Sequence, residues 1–154
     1  MLTLTITKQF DWAMSHLLED HAGLCKNIHG HNYKLLVTIG RDDGLEEKNK
    51  SEKGMVCDFK FLKKIVNGVI VNPLDHAFAY NKKHKQSVTV AEYLKKKIGQ
   101  KLAPFPFRVT AEYMVYWMFT ELNEFFIASK HPYRCRKIVL YETDTSCATY
   151  EVVK

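Results

Sequence analysis

Cys25-Lys26-Asn27-Ile28-His29-Gly30-His31-Asn32-Tyr33-Lys34-Leu35-Leu36-Val37-Thr38-Ile39 carries both a fold signal and a chemical signal. Residues 33–39 are rich in aliphatic and β-branched side chains, which fit a pleated, half-buried strand. In the first half, His29 and His31 stand two positions apart, so on an extended segment both imidazoles point to the same side. Gly30 between them leaves room for close backbone approach. Two convergent imidazoles are what a Zn²⁺ site needs, and a third ligand with an open fourth position makes such a site catalytic rather than structural. His16 is the natural third candidate, and spacing leaves His21, His84 and His131 as alternatives. The plainer reading of such a pair is surface or hydrogen-bonded histidines.

Upstream, Leu2, Leu4 and Ile6 alternate with Thr3, Thr5 and Thr7, the period of a half-buried strand. Downstream, residues 41–54 hold five acids and four bases and read as a solvated connection. Residues 54–57 are expected to return to the sheet. Phe59, Leu62, Ile65, Val66, Val69 and Ile70 then recur at helical spacing, with Lys60, Lys63, Lys64 and Asn67 on the other face. Pro73 is expected to stop this helix, because proline disfavours the α conformation in the residue before it. A second helix is read over 90–102, with Leu94, Ile98 and Leu102 on one side, broken by Pro104 and Pro106. The most apolar helix covers 112–128, with Tyr113, Trp117, Phe119 and Phe126. Residues 138–141 and 148–153 close the chain as an antiparallel hairpin. With no internal repeat and no domain boundary, 1–154 reads as one domain. Strands, then helices, then strands imply an α+β fold: an antiparallel four-stranded sheet with helices on one face. Such a sheet leaves two open edges, which assembly into a closed barrel or a covering segment would remove.

The 154 residues suffice to bury a core, and 46% hydrophobic with 26% charged residues is a globular balance. Residues 1–10 lack the charged start and apolar block of a secretory signal. The longest apolar run, 113–119, is too short to span a bilayer. Four cysteines without CxxC spacing read as free thiols in a reducing cytoplasm. A net charge of +6 fits an anionic partner. The lysines are spread over two helices without an aromatic-interleaved face, so a phosphorylated small molecule is expected, with neither nucleic acid nor membrane as partner.

Three further positions bear titratable chemistry. Cys25 lies four residues before His29 and reads either as a buried structural thiol or as a thiolate base activated by nearby positive charge. Asp75-His76 reads either as a helix-associated carboxylate beside a chance histidine or as a carboxylate–imidazole pair tuning proton transfer. Glu142 is either a solvated strand-end acid or a buried carboxylate accepting two hydrogen bonds from a planar guanidine-like group.

Taken together, Trp12-Ala13-Met14-Ser15-His16-Leu17, residues 25–33, Gly54-Met55-Val56-Cys57-Asp58-Phe59, Leu74-Asp75-His76, Thr110-Ala111-Glu112 and Tyr141-Glu142-Thr143 resemble the 6-pyruvoyl tetrahydropterin synthase family, including its 6-carboxytetrahydropterin synthase branch. The resemblance implies the T-fold, a ββααββ unit whose subunits join sheets into a barrel, commonly as trimers stacked into hexamers. It implies His16, His29 and His31 as zinc ligands, Cys25 as base, Asp75 and His76 as its relay, and Glu142 as pterin anchor. Thr110 and Glu112 are candidate substrate-binding residues from their motif, and the site is expected between subunits, so that Cys25 and His76 can come from different chains. Three residues separate Cys25 from His29, as in carboxytetrahydropterin synthases of the queuosine pathway; the animal-type pyruvoyl enzymes have a longer gap, and a folate-related branch carries Glu in place of the cysteine. The implied activity is zinc-dependent conversion of 7,8-dihydroneopterin triphosphate to 6-carboxy-5,6,7,8-tetrahydropterin, with loss of triphosphate and acetaldehyde. A 6-pyruvoyl product and a non-catalytic zinc-stabilised binding domain are the alternatives. Trp12, Met14 and Tyr113 depart from the family pattern, and the 33 residues between His76 and Thr110 exceed its usual spacing.

Overall fold

The computed structural model describes residues 4–153. Strands β1 (Thr5–His16) and β2 (His29–Arg41) pair antiparallel along their full length, with Thr5 opposite Gly40 and His16 opposite His29. Leu2 and Thr3 of the expected first strand lie outside the described residues. Both strands run further than their apolar alternation suggests, and the excess, residues 8–16 of β1 and 29–32 of β2, holds the histidines.

Helix α1 (Phe59–Val66) starts at Asp58, whose carboxylate accepts from the Lys60 and Phe61 amides. Its Leu62 and Val66 are fully buried. Pro73 does not stop the helical run where expected. A π-helical stretch, Asn67–Val71, widens the turn and leads into α2 (Asn72–Leu74), where proline occupies an opening position that needs no N–H donor. The chain leaves the helix at Asp75. Residues 54–57 do not return to the sheet. The Gly54 amide donates to the Glu46 carbonyl at 2.8 Å and the Glu46 amide to the Met55 carbonyl at 3.0 Å, so this backbone is satisfied within its own loop. Val56 and Cys57 still reach the core.

Strand β3 (Phe78–Asn81), helix α3 (Lys85–Ile98) and β4 (Leu102–Phe105) follow. The helix expected over 90–102 thus starts and ends earlier. Gly99 adopts the left-handed conformation that closes a helix, at φ 68°, and its amide bonds back to the Leu94 and Lys95 carbonyls. Leu102, which continues the Leu94–Ile98 spacing, belongs to a strand instead. Pro104 is tolerated there because β4 is the outermost strand. Helix α4 (Ala111–Ala128) is capped by the Thr110 hydroxyl and buries Met114, Val115, Met118, Leu122 and Phe126. Strands β5 (Tyr133–Thr143) and β6 (Ser146–Glu151) form the expected hairpin.

The sheet has six strands rather than four, in the order β4-β3-β1-β2-β5-β6. The antiparallel four, β1-β2-β5-β6, are contiguous, while β3 and β4 extend the sheet in parallel beyond β1. The sheet is therefore mixed. The two added strands are only four residues each, too short for periodicity to announce them. The helices cover one sheet face, where Phe10, Trp12, Met14, Tyr33, Leu35, Val37, Ile39, Ile138 and Leu140 meet the buried sides of α1 and α4. A second cluster of Leu17, Phe78 and Ala91 seats α3. No helix among the described residues is long and apolar enough to cross a membrane.

Candidate metal centre and active site

The alternation that buries Phe10, Trp12 and Met14 carries on to His16 at the end of β1, which is fully buried. Register places His16 opposite His29, and His31 follows two residues on, so all three rings share the helix-covered face. Ring centroids lie 4.6 Å apart for His16–His29, 5.3 Å for His16–His31 and 5.0 Å for His29–His31. One ligand atom from each falls within 4.8 Å of the others. Close pairing of the two strands matters here, since a Cβ on Gly30 would stand 3.3 Å from the Met14 carbonyl oxygen.

The hydrogen bonds of these rings sort their nitrogens. His16 Nδ1 lies 2.8 Å from the Val109 carbonyl, and His29 Nδ1 lies 2.8 Å from the Asn27 carbonyl. A carbonyl can only accept, so each Nδ1 carries the proton and each Nε2 is left with its lone pair. Nε2 of His16, His29 and His31 is in every case buried without a hydrogen-bond partner among the described residues. Three converging, unpartnered Nε2 atoms, two of them with the lone pair fixed by the bond at Nδ1, fit a metal ion that accepts nitrogen ligands. Burial, with the nearby His29 and His31 rings, pushes the His16 pKa down to about 4 against the pull of the Val109 carbonyl. Burial also lowers His31, opposed by the Glu142 carboxylate. Both shifts keep the rings neutral, the form that binds metal.

Glu142 extends from β5 onto the same face. Its Oε1 is 3.4 Å from His31 Nε2 in a geometry that makes no hydrogen bond. Tyr33 is buried below, and burial together with the Glu142 charge holds its phenol firmly protonated.

Asp75 and His76 sit just after α2. The His76 ring nitrogen Nδ1 lies 2.9 Å from Asp75 Oδ1, which also accepts from the Ala13 amide at 3.3 Å. His76 has a left-handed backbone, φ 59°, fixed to β1 by its amide's 2.7 Å bond to the Ala13 carbonyl. Its side chain is 80% exposed, so the imidazole is open to a ligand or a neighbouring subunit. His76, His31, Gly30 and Gln100 line a common cleft of about 390 Å³.

Cys25 lies on the 3₁₀ turn Leu24–Lys26 in the β1–β2 connection, half-buried and free. The Leu18 amide donates to its carbonyl at 2.8 Å, tying the turn to the segment just past His16. Among the described residues, no side-chain hydrogen bond joins Cys25 to the histidine cluster or to Asp75–His76. Thr110 caps α4 by accepting from the Tyr113 amide at 3.4 Å, and Glu112 is exposed in the first turn of that helix. Thr110 directly follows Val109, whose carbonyl orients His16. His21, His84 and His131 do not join the cluster: His21 accepts from the Gly23 amide, His84 caps α3, and His131 packs among Phe61, Phe125 and Tyr133.

Sequence reading misses Arg108, the residue before Val109, whose Nε and Nη2 are buried without a hydrogen-bond partner among the described residues. It also misses Gln100 and Lys101, which bond to the backbone of the dyad. None lies in a motif, and bonds to main-chain carbonyls leave no pattern in a sequence.

A family model described as 6-pyruvoyl tetrahydropterin synthase matches residues 5–152. A 6-carboxy-5,6,7,8-tetrahydropterin synthase of Haemophilus influenzae is 40% identical over 146 residues, 95% of this chain and 97% of the relative. A Synechocystis protein of the same name is 30% identical, covering 94% and 91%. Among solved structures, an uncharacterized protein from Wolinella succinogenes gives a TM-score of 0.75 at 19% identity over 98% of this chain and 99% of that one. A Caenorhabditis elegans 6-pyruvoyl tetrahydropterin synthase gives 0.64 at 22% identity over 99% and 98%. These two share the fold, and the match over residues 5–152 supplies the lineage: the chain belongs to the 6-pyruvoyl tetrahydropterin synthase family.

Proposed function

We propose that this protein is a zinc-dependent lyase that converts 7,8-dihydroneopterin triphosphate to 6-carboxy-5,6,7,8-tetrahydropterin, releasing triphosphate and acetaldehyde, in queuosine biosynthesis in the cytoplasm. The observation that carries the reading is the set of three buried, unpartnered Nε2 atoms beside the Glu142 carboxylate. The name of the relatives from Haemophilus influenzae and Synechocystis, and the three-residue gap between Cys25 and His29, support the carboxy product over the pyruvoyl one.

His16, His29 and His31 would hold the zinc ion. Bound there, it would act as a Lewis acid on the side-chain oxygens of the substrate. Glu142 anchors the pterin, accepting from its exocyclic amine and ring N–H at once. Thr110 and Glu112, at the head of α4, stand as further substrate contacts. Cys25 removes the side-chain proton as a thiolate, and His76, oriented by Asp75, exchanges protons with it. The lack of a described side-chain hydrogen bond between Cys25 and the dyad within one chain is consistent with a site completed by a second subunit, in a homo-oligomer. The outer strands β4 and β6, unpaired on their far sides, offer the edges for that assembly.

A structural zinc site would need a fourth protein ligand, whereas the ligand cluster among the described residues stops at three histidines. Incubation with dihydroneopterin triphosphate, with and without chelator, followed by product identification by mass, tests the reading. The 6-carboxy product is expected in the untreated arm only. A 6-pyruvoyl product moves the assignment to the sister activity, and no conversion at all rejects catalysis on this substrate.

A further inference from the structure

The stretch between the dyad and α4 stays outside the chemistry above. It is nevertheless built onto the dyad. Leu17, Phe78 and Ala91, with Tyr80, Val90, Leu94 and Leu102 packed around them, lock β3, α3 and β4 to the end of β1. The platform turns at Gly99, and the next two side chains reach back. Lys101 Nζ donates to the carbonyls of Asn72 at 2.5 Å and Asp75 at 2.8 Å. Gln100 Nε2 donates to the His76 carbonyl at 3.0 Å. The Phe78 amide closes the arrangement on the Lys101 carbonyl at 2.9 Å.

These contacts answer a physical need. A left-handed backbone is costly for a residue with a Cβ, and His76 holds it at φ 59°. The β1 side grips the turn through the Ala13 amide and carbonyl. The Asp75 and Ala77 amides bond back to the Val71 and Leu74 carbonyls at 2.8 and 2.9 Å. The carbonyls of Asp75 and His76, by contrast, accept only from Lys101 and Gln100 among the described hydrogen bonds, and the lysine places its charge where helical carbonyls point out of α2. Without them the two carbonyls lose their described donors, each peptide plane is held from its amide side alone, and the hold on the 2.9 Å Nδ1–Oδ1 contact loosens.

We propose that Lys101 and Gln100 are positioning residues that fix the Asp75–His76 turn and so aim the His76 imidazole into the cleft it shares with His31. The catalytic consequence rests on the relay role proposed above for the dyad; the positioning itself does not.

The test uses intact, zinc-loaded protein labelled with ¹⁵N-histidine, comparing wild type with Lys101→Met, Lys101→Arg, Gln100→Ala and the Lys101→Met/Gln100→Ala double variant. Wild type and Lys101→Arg should show a His76 ring with Nδ1 protonated. The double variant should show averaged ring-nitrogen shifts, with kcat reduced about 10-fold to 100-fold and KM little changed, as expected for a misaimed group. Gln100→Ala alone, which removes a single amide donor, should shift the same signals part-way and covers the case in which Lys101→Met does not fold. Wild-type His76 signals in the double variant, or in Gln100→Ala where that is the variant available, overturn the proposal. So does a Lys101→Arg chain as defective as Lys101→Met. If His76→Ala turns over at the wild-type rate while the spectra of the double variant average as expected, the positioning stands and the relay reading falls.

Discussion

His16 is fully buried and has no hydrogen-bond partner at Nε2 among the described residues, so its neighbours decide its protonation. Its pKa of about 4 in the folded chain lies below the 6.5 of a free imidazole. Between these values the unfolded chain takes up a proton that the folded chain refuses, so metal-stripped protein should lose stability as pH falls from 6.5 towards 4. The ceiling is about 3 kcal/mol, and the loss is complete once pH reaches the folded value. Denaturant titrations across this range should show a slope that His16→Gln reduces; an unchanged slope in that variant would place the titration elsewhere. The convergence of three unpartnered Nε2 atoms predicts that His29→Ala and His31→Ala each fail to retain a full equivalent of zinc by elemental analysis. Full retention in both removes the metal assignment. Glu142→Gln exchanges one acceptor for a donor that would face a donor on the pterin. Pterin affinity should fall by about 1.5–3 kcal/mol, the worth of a hydrogen bond to a charged group, with zinc content unchanged. Titration of Glu142→Gln beside Glu112→Gln decides the anchor: loss in the second alone transfers the role to Glu112.

At the scale of elements, helix α1 follows a long charged connection and depends on its first turn. Asp58 caps it by satisfying two amides that have no helical partner, and Lys63 and Lys64 sit in the last turn. Asp58→Ala should lower the unfolding free energy by about 1 kcal/mol, read as a shift in the denaturant midpoint at constant slope. No change would mean that burial of Leu62 and Val66 carries the helix alone. The helix also shows where local signals mislead. Pro73 predicts a stop, yet the π-helical Asn67–Val71 carries the chain past it, so that Leu74 is buried and Asp75 emerges against β1. In α3 the opposite occurred: the four-residue spacing from Leu94 through Ile98 to Leu102 hid the stop that Gly99 imposes.

At the scale of the whole molecule, the mixed sheet formed by the described residues ends on β4 and β6, each with one side unpaired among those residues. Exposed Tyr116 on α4, with Tyr150 on β6, adds apolar surface near one of these edges. Cys25 and the Asp75–His76 pair remain unconnected by any described side-chain hydrogen bond. Association of subunits edge to edge would resolve each of these features, so active protein should be a homo-oligomer larger than a dimer. Light scattering at micromolar concentration measures this directly. A monomer that still turns over substrate would exclude a shared site.

Local stereochemistry accounts for what the sequence determined by itself. A strand alternates its faces every residue, so His29 and His31 had to point together. The helical spacing through α1 and the π-helical stretch after it marked Leu62, Val66 and Ile70 as the buried side, whereas in α4 only Phe126 of the aromatic residues read from the sequence is fully buried. The motifs at His16, Cys25, Asp75–His76, Thr110–Glu112 and Glu142 marked the lineage before any coordinates. Tertiary structure decided the rest, because it turns on register and on contacts across long stretches of chain. Only the pairing of β1 with β2 set His16 against His29, and only the pairing of β2 with β5 carried Glu142 to within 3.4 Å of His31. The Val109 carbonyl that orients His16 is a main-chain atom, and Lys101 grips the dyad through main-chain oxygens. Every residue has such atoms, so no arrangement of side chains along the sequence could have singled these out; the folded register did.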